Sequence, residues 1–102
     1  MRRVIVRYKV KADRASENEE LIRQVFEELA QTKPTGLRYA SFKQDDGVSF
    51  VHVASIETED GANPLDNSPA FKAFQSEIRD RCEEPPAVTQ LTGIGSYRVF
   101  DS

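Results

Sequence analysis

The sequence predicts an α+β domain of the ferredoxin-like class, with the element order β-α-β-β-α-β. Three observations support this prediction. Four segments alternate apolar and polar residues with the period of a strand, and two other segments repeat apolar residues with the period of a helix. The length of 102 residues suits a single domain over residues 1–102. Right-handed crossovers then place both helices on one face of an antiparallel four-stranded sheet.

The first strand and the first helix follow from local patterns. Residues 3–11 read as a strand, because apolar residues occupy every second position of one face: Val4, Val6, Tyr8 and Val10. The segment Ser16-Glu17-Asn18-Glu19 has the S-x-x-E pattern of a capping box, which predicts a helix start. A stripe of helical spacing follows it: Leu21, Ile22, Val25, Phe26 and Leu29. Pro34 and Gly36 predict the end of this helix near residue 33.

The second half of the chain reads as a hairpin, a helix and a strand. Asp45-Asp46-Gly47 between residues 37–44 and 48–56 is typical of a hairpin turn. After an acidic loop at 57–67, Ser68-Pro69 predicts an N-cap with proline in the first turn. That helix is expected to end at Pro85-Pro86 and to bury one stripe: Phe71, Phe74, Ile78 and Cys82. Residues 88–100 are the last predicted strand, in which two glycines mark a bulge or a bend: Gly93 and Gly95.

Composition and strand pattern together predict a second subunit. Hydrophobic residues make up only 38% of the chain and the mean hydropathy is −0.57, so the core of one chain is thin. Strand 48–56 is apolar on both faces, with Phe50 on one and Val51 and Val53 on the other, although the helices cover only one face. We therefore expect a homodimer packed sheet to sheet. Arg7 and Lys9 are the polar exception on that face.

Composition also disfavours several function classes. A net charge of −3 argues against nucleic-acid binding driven by charge. One cysteine and one histidine cannot form a Cys/His zinc site within the chain, and a lone cysteine fits a reducing, cytoplasmic location. No apolar run of about 18 residues predicts a membrane span. Dinucleotide, phosphate-loop and zinc-protease motifs are missing from the sequence, so we expect neither cofactor nor metal.

His52 is the candidate catalytic residue. It lies in the middle of a strand, on the face of Phe50 and Ile56. If that face meets the helices, the imidazole stands in an apolar pocket near Phe71 and Phe74. Desolvation would keep it neutral at pH 7 and able to accept a proton from a phenol or a carbon acid. The alternative interpretation is a hydrogen-bonded structural histidine.

Other polar residues are expected to be structural. Asp45-Asp46 falls on a tight turn, where aspartate binds nearby backbone groups. Cys82 is expected to pack in the core from its helix stripe. Three tyrosines could be polar partners of His52, although each is also a typical amphipathic packing residue: Tyr8, Tyr39 and Tyr97.

Several stretches of the chain resemble a known family. They are Gly36-Leu37 before strand two, Asp46-Gly47-Val48-Ser49-Phe50-Val51-His52-Val53 into strand three, Glu57 after it, and Ser68-Pro69-Ala70-Phe71-Lys72-Ala73-Phe74 at the start of helix two. Together with the element order, they resemble the dimeric α/β-barrel superfamily and its antibiotic biosynthesis monooxygenase-like family. The resemblance covers nearly the whole chain. It implies a homodimer whose two sheets form a barrel, with a small cavity between the sheet and helices of each subunit.

The resemblance also implies a function. Characterised relatives include oxygenases of phenolic or quinol-like compounds that need no metal or flavin, haem-degrading enzymes and members without known activity. The oxygenase pattern has a cavity-facing polar residue on strand three, which matches His52; Ile56 stands where an aromatic residue is common, and residues 62–67 hold no histidine. The implied function is a cofactor-independent monooxygenase-like protein acting on a small aromatic compound. His52 would abstract a proton, residues 57–67 would act as a lid, and five residues would form the ligand pocket: Tyr8, which orients the ligand, Phe50, Ile56, Phe71 and Phe74.

Two alternatives of other classes remain. The first is a non-catalytic small-ligand-binding or dimerisation module of the same fold. The second, more remote, is an RNA-recognition motif, which shares the element order and whose strand-three signature is matched by Gly47, Phe50 and Val51. However, Val48 and Val53 stand where that motif has aromatic residues for base stacking.

Overall fold

The computed structural model describes residues 1–99 and confirms the ferredoxin-like α+β class. Its strands are β1 (Arg2–Val10), β2 (Leu37–Lys43), β3 (Ser49–Ile56) and β4 (Cys82–Leu91). Its helices are α1 (Ala15–Thr32), α2 (Pro69–Gln75) and α3 (Ile78–Arg81). Short 3-10 turns precede α1 and α2, at Ala12–Arg14 and Pro64–Asn67. The element order is thus the predicted one, with one additional helical turn before the last strand.

The four strands form one antiparallel sheet in the order β2-β3-β1-β4. The core lies between one face of this sheet and the helices. Tyr8 and Val10 of β1 are buried in it, as are Val25 of α1 and Phe74 of α2. The face of the first strand that the period-two pattern selects is therefore the core face.

The start of α1 differs from the prediction. Ser16 lies inside the helix, and no side chain caps the first turn. Arg14 takes the N-cap position, and its guanidinium donates to both carboxylate oxygens of Glu17 at 2.9 and 2.8 Å. The predicted capping box is therefore wrong, since the helix begins one residue before its proposed cap. The predicted end is confirmed: Lys33 adopts a left-handed φ of 46° and its N–H donates to the Leu29 carbonyl.

The predicted hairpin turn is confirmed. Asp46 accepts hydrogen bonds from the backbone N–H groups of Val48 at 3.0 Å and Ser49 at 2.8 Å. Gly47 has a φ of 77°, a left-handed conformation that favours glycine. Asp46 therefore shapes the turn, as the structural interpretation of the aspartate pair expects.

The second helix is shorter than predicted. It begins as expected, with Ser68 accepting the Phe71 N–H at 3.0 Å. It ends at Gln75, because Glu77 adopts a left-handed φ of 63° and only the single turn α3 follows. Cys82 is buried, but it opens β4 and pairs with Val10. The prediction that Cys82 belongs to a helix stripe is therefore wrong.

Pro85 and Pro86 lie inside β4 and do not end a helix. A proline has no backbone N–H to donate, so strands tolerate it at an edge or at a bulge. β4 is an edge strand, and its register against β1 shifts between Arg7 and Lys9. At this shift, two residues of β4 lie opposite one residue of β1. The two prolines occupy this bulge, where the ladder does not need their N–H groups.

The last strand also ends earlier than predicted, at Leu91. Gly93 and Gly95 therefore follow the strand instead of forming a bulge within it. Residue 100, the predicted end of this strand, lies outside the described residues.

Candidate functional site

His52 lies on the core face of β3, where that face meets the helices. It pairs with Val6 of β1 and Ser41 of β2, and only 4% of its surface is exposed. Its ring lies in an aromatic cluster, with centroid distances of 5.3 Å to Tyr8, 5.8 Å to Tyr39 and 5.4 Å to Phe74. The prediction of a desolvated His52 depends on contact between this face and the helices, and the structure shows that contact.

Both ring nitrogens of His52 are hydrogen-bonded to hydroxyl groups. Nε2 lies 2.7 Å from the Tyr8 hydroxyl. Nδ1 lies 2.8 Å from the Tyr39 hydroxyl and 2.6 Å from Ser41 Oγ. These bonds satisfy a buried imidazole, as a structural histidine requires. The same bonds connect it to three hydroxyls that can each donate or accept a proton.

Two further buried residues extend this network beyond Tyr8. Asn18 is fully buried, and its Nδ2 donates to the Tyr8 hydroxyl at 2.9 Å. Arg81 is 1% exposed, and its Nε donates to Asn18 Oδ1 at 3.2 Å. The rest of its guanidinium donates to the backbone carbonyls of Phe74 at 2.6 Å and Ser76 at 3.2 Å. The network therefore runs from the end of α3 through α1 to the centre of the sheet.

Sequence reasoning missed Asn18, Ser41 and Arg81. Asn18 stands at an unspecified position of the predicted capping box, although its spacing to Ile22 and Val25 places it on the apolar stripe of α1. Arg81 follows Ile78 by three residues, which also places it on the apolar stripe of its helix. A polar residue on an apolar stripe is the signal that could have identified both.

Burial sets the protonation state of the site. Desolvation lowers the pKa of His52 to about 4, so the imidazole is neutral at pH 7. Desolvation also raises the pKa of Tyr39 to about 12. It raises the pKa of Tyr8 well above its usual range, against the opposing effect of the Asn18 hydrogen bond. At pH 7 the imidazole of His52 and the phenol groups of Tyr8 and Tyr39 are therefore all neutral, and both phenols keep their protons.

Two other residues of the predicted pocket, Phe50 and Phe71, belong to the aromatic cluster around His52. Phe50 stacks on Tyr8 with a centroid distance of 5.6 Å. Phe71 lies 6.0 Å from Phe74 and 6.3 Å from Tyr39, so it belongs to the same cluster. Phe50 is 2% exposed and faces the helices, so it does not lie on the open sheet face, where an RNA-recognition motif stacks bases.

Two of the sequence candidates lie away from His52. Ile56 is buried at the end of β3, opposite Leu37, and about 13 Å of strand separates it from His52. Tyr97 is 81% exposed, whereas His52 is buried, so the idea that Tyr97 is its polar partner is wrong. Tyr8 and Tyr39 take that role.

Two surface grooves are lined in part by the residues that hydrogen-bond to Nδ1. The first has a volume of about 290 Å³ and lies between α1 and β2, with Phe26, Leu29 and Tyr39 in its wall. The second, of about 130 Å³, is lined by Ser41 and Phe50 among others. His52 itself lines neither groove. Tyr39 and Ser41 are thus residues that contact the buried imidazole and also line a groove.

Residues 1–99 present neither a metal-binding cluster nor a membrane-spanning helix. Within this range, no group of three or more His, Cys, Asp or Glu side chains is placed to hold a metal ion. No helix in the same range is long and apolar enough to cross a membrane. The groups that contact His52 directly are hydroxyls and aromatic rings.

Solved structures similar to this chain share one fold. A Nitrosomonas europaea protein, provisionally described as an antibiotic biosynthesis monooxygenase, has 22% identity and a TM-score of 0.77 over 93% of this chain and all of that one. Rv0793 from Mycobacterium tuberculosis has 22% identity and a TM-score of 0.70 over 93% of this chain and 96% of its own. The chain has the fold of the antibiotic biosynthesis monooxygenase-like proteins. No protein-family model and no curated protein matches the sequence.

A third structure of this fold carries a named activity. SnoaB from Streptomyces nogalater, solved as a single-residue variant, is described as a cofactor-independent oxygenase. Its identity to this chain is 16% and its TM-score is 0.68, over 95% of this chain and 96% of SnoaB. At this identity the likeness is one of fold.

Proposed function

We propose that this protein is a cofactor-independent monooxygenase-like protein acting on a small aromatic compound of the phenol or quinol type. The observation that supports this most is a neutral imidazole, His52, hydrogen-bonded to the hydroxyls of Tyr8 and Tyr39 inside an aromatic cluster. The fold is also that of SnoaB, described as a cofactor-independent oxygenase. A cytoplasmic location belongs to the same proposal, since the single cysteine, Cys82, is free.

His52 is the proton acceptor in this proposal. The substrate hydroxyl gives up its proton to the imidazole through a neighbouring tyrosine hydroxyl, and the substrate anion becomes a better electron donor. Burial disfavours an isolated imidazolium, so the proton is transferred only when the substrate anion lies beside it. The ion pair compensates the low pKa of the free imidazole.

The oxidation balances without a further reductant. One phenol and one O₂ give one quinone and one water. A ring C–H and the O–H are lost and a second carbonyl forms. The substrate loses four electrons, and O₂ accepts them: one oxygen atom becomes the new carbonyl oxygen and the other leaves as water. Aromatic side chains around the site would hold the ring of such a substrate: Tyr8, Phe50, Phe71 and Phe74.

Residues 57–67 are the proposed lid. Leu65 of this segment is buried in the core, and the Asn63 side chain accepts its backbone N–H at 3.0 Å. Lifting this turn would expose the apolar side of the aromatic cluster. Ile56, the last residue of β3 directly before this segment, would line the far end of the pocket.

Oxygen uptake with a panel of phenols and hydroquinones tests the proposal. The wild-type protein is expected to accelerate uptake with at least one compound. His52→Gln keeps hydrogen-bonding atoms but cannot be protonated, so we expect at least a hundredfold loss of rate with an unchanged circular dichroism spectrum. A folded His52→Gln variant with the wild-type rate would exclude His52 as the proton acceptor. A panel without any accelerated compound would count against the oxygenase itself.

A second candidate is a non-catalytic small-ligand-binding module. It is favoured by one observation: both nitrogens of His52 already have partners, while the nearby 290 Å³ groove is lined mainly by apolar side chains such as Phe26 and Leu29. This candidate expects aromatic compounds to raise the melting temperature without oxygen uptake. Thermal shift and oxygen uptake on the same panel therefore separate the two candidates.

The proposed assembly is a homodimer that packs sheet on sheet. The face opposite the helices carries Ile5, Val51 and Val53, each only partly buried in the single chain. Phe42 of β2 and Leu91 of β4 are 57% and 41% exposed. A second copy would remove this apolar surface from water.

A further inference from the structure

The hydrogen bonds of Arg81 fix the orientation of the Asn18 amide. A guanidinium carries only donors, so the Asn18 atom that faces Arg81 Nε must be the carbonyl oxygen. The amide nitrogen of Asn18 then faces Tyr8 and donates to its hydroxyl oxygen. The guanidinium is itself held in place by the carbonyls of Phe74 and Ser76.

The orientation of Asn18 in turn fixes the hydroxyl proton of Tyr8. Among residues 1–99, the hydrogen-bond partners of this hydroxyl are Asn18 and His52. Asn18 presents a donor, so the hydroxyl proton has one acceptor to point at, the Nε2 atom of His52. A buried hydroxyl proton without an acceptor would cost the free energy of its desolvation.

We infer that Asn18 and Arg81 are positioning residues that hold His52 in the tautomer with its proton on Nδ1. A neutral imidazole has one protonated and one unprotonated nitrogen. Because Nε2 accepts from Tyr8, Nδ1 carries the proton and donates to Tyr39 and Ser41. Two residues that lie on α1 and α3 thereby set the proton arrangement of a residue in the sheet.

This tautomer assigns different roles to the two sides of the imidazole. The inference rests on the proposed function for its catalytic meaning: the nitrogen able to accept a proton is Nε2, so a substrate proton reaches His52 through Tyr8. The side toward Tyr39 and Ser41 donates, so the imidazole accepts no proton from those two hydroxyls.

Nitrogen NMR of ¹⁵N-histidine-labelled protein at pH 7 tests the inference. His52 is the single histidine of the sequence, so its two ring nitrogens give the only imidazole signals. We expect the wild-type protein to show the Nδ1-protonated tautomer. In Asn18→Asp, the carboxylate would accept from both Arg81 and the Tyr8 hydroxyl, which frees the Tyr8 oxygen to accept from Nε2. We therefore expect this isosteric variant to show the opposite tautomer, with the proton on Nε2.

A matched control makes the same chemical change elsewhere on α1. Gln24→Glu converts an exposed amide into a carboxylate and is expected to leave the wild-type tautomer unchanged. A wild-type protein with its imidazole proton on Nε2 would overturn the inference. The wild-type spectrum is therefore a test even if Asn18→Asp does not fold. A folded Asn18→Asp protein that keeps the Nδ1 proton would overturn it as well. These spectra need no substrate, so absent oxygen uptake would refute the proposed function alone.

Discussion

His52 links the pH of the solution to the stability of the fold. Burial lowers its pKa from 6.5 to about 4, so below pH 6.5 the unfolded chain binds a proton that the folded chain does not. The contribution of the neutral imidazole to the free energy of unfolding is thus fully present above pH 6.5 and is lost as the pH falls toward 4. We expect the free energy of unfolding to drop by about 2 kcal/mol from this group between pH 7 and pH 5. Urea unfolding at the two pH values measures it.

His52→Gln is the control for this pH dependence. Glutamine does not titrate, while every carboxylate of the chain is retained. The variant is therefore expected to lose about 2 kcal/mol less than the wild-type protein over the same pH interval. Equal losses in the two proteins would mean that His52 is not desolvated in solution.

The two tyrosines that contact His52 differ in how replaceable they are. Tyr8→Phe leaves the Asn18 amide and His52 Nε2 without partners in the core, which should cost about 2–3 kcal/mol of unfolding free energy. Tyr39→Phe leaves Ser41 bonded to Nδ1, so its cost should be about 1 kcal/mol or less. Urea unfolding of both variants, with Tyr97→Phe at an exposed position as control, checks the order. A Tyr39→Phe cost as large as that of Tyr8→Phe would contradict it.

The predictable part of the site is the part that local periodicity determines. The period of two along β3 places His52 and Phe50 on one face, and the composition of that face identifies it as buried. The bond between Asn18 and Arg81 joins residues 63 positions apart, so it depends on how α1 and α3 pack. No local pattern contains that information. Their polar character on an apolar stripe shows only that each needs a buried partner.

Among the elements, the second helix shows the limit of local patterns. Its start was predictable because Ser68 and Pro69 determine it locally. Its end was not, since apolar spacing continues through Ile78 and prolines usually terminate helices. The edge position of β4 and its bulge allow Pro85-Pro86 in a strand, and both are properties of the assembled sheet.

Gly36 joins α1 to β2 at a position where two constraints act together. Its φ is 78°, and an added Cβ would lie 2.6 Å from Thr58 Cγ2 and 3.1 Å from the Thr58 backbone nitrogen. Gly47 has nearly the same φ, 77°, but open space around it. Gly47→Ala should therefore cost about 1–2 kcal/mol for the left-handed backbone alone. Gly36→Ala should cost at least about 1 kcal/mol more, because the Thr58 side chain must shift and its closely packed backbone must give way slightly. Thermal unfolding of the two variants measures the difference. Equal losses of stability would show that Thr58 moves aside without a measurable cost.

At the scale of the whole molecule, the low apolar content is matched by an incomplete core: one chain leaves part of the sheet face opposite the helices uncovered. Part of the open sheet face is covered from within: Ser55 is fully buried beneath contacts from Arg3 and Glu57. The remaining large apolar residues of that face, and the exposed Ile94 beyond β4, have no such cover: Ile5, Phe42, Val51, Val53, Leu91 and Ile94. A chain with one buried face and a partly apolar second face is therefore expected to be most stable as half of a pair.

Val53 is the position at which that expectation is sharpest. It pairs with Ile5 and Ala40 in the middle of the open face, so a lysine there would place an ammonium group at the centre of the proposed interface. Removing such a charge from water without a partner costs several kcal/mol, and Val53→Lys should weaken association at least about a hundredfold. Gln24→Lys adds the same charge to the exposed side of α1 and should leave association unchanged. In sedimentation velocity at micromolar concentration, we expect a two-chain mass for the wild-type protein and Gln24→Lys, and a one-chain mass for Val53→Lys. A one-chain mass for the wild-type protein would mean that the open face is stable in water as it stands, and the low apolar content would then need another explanation.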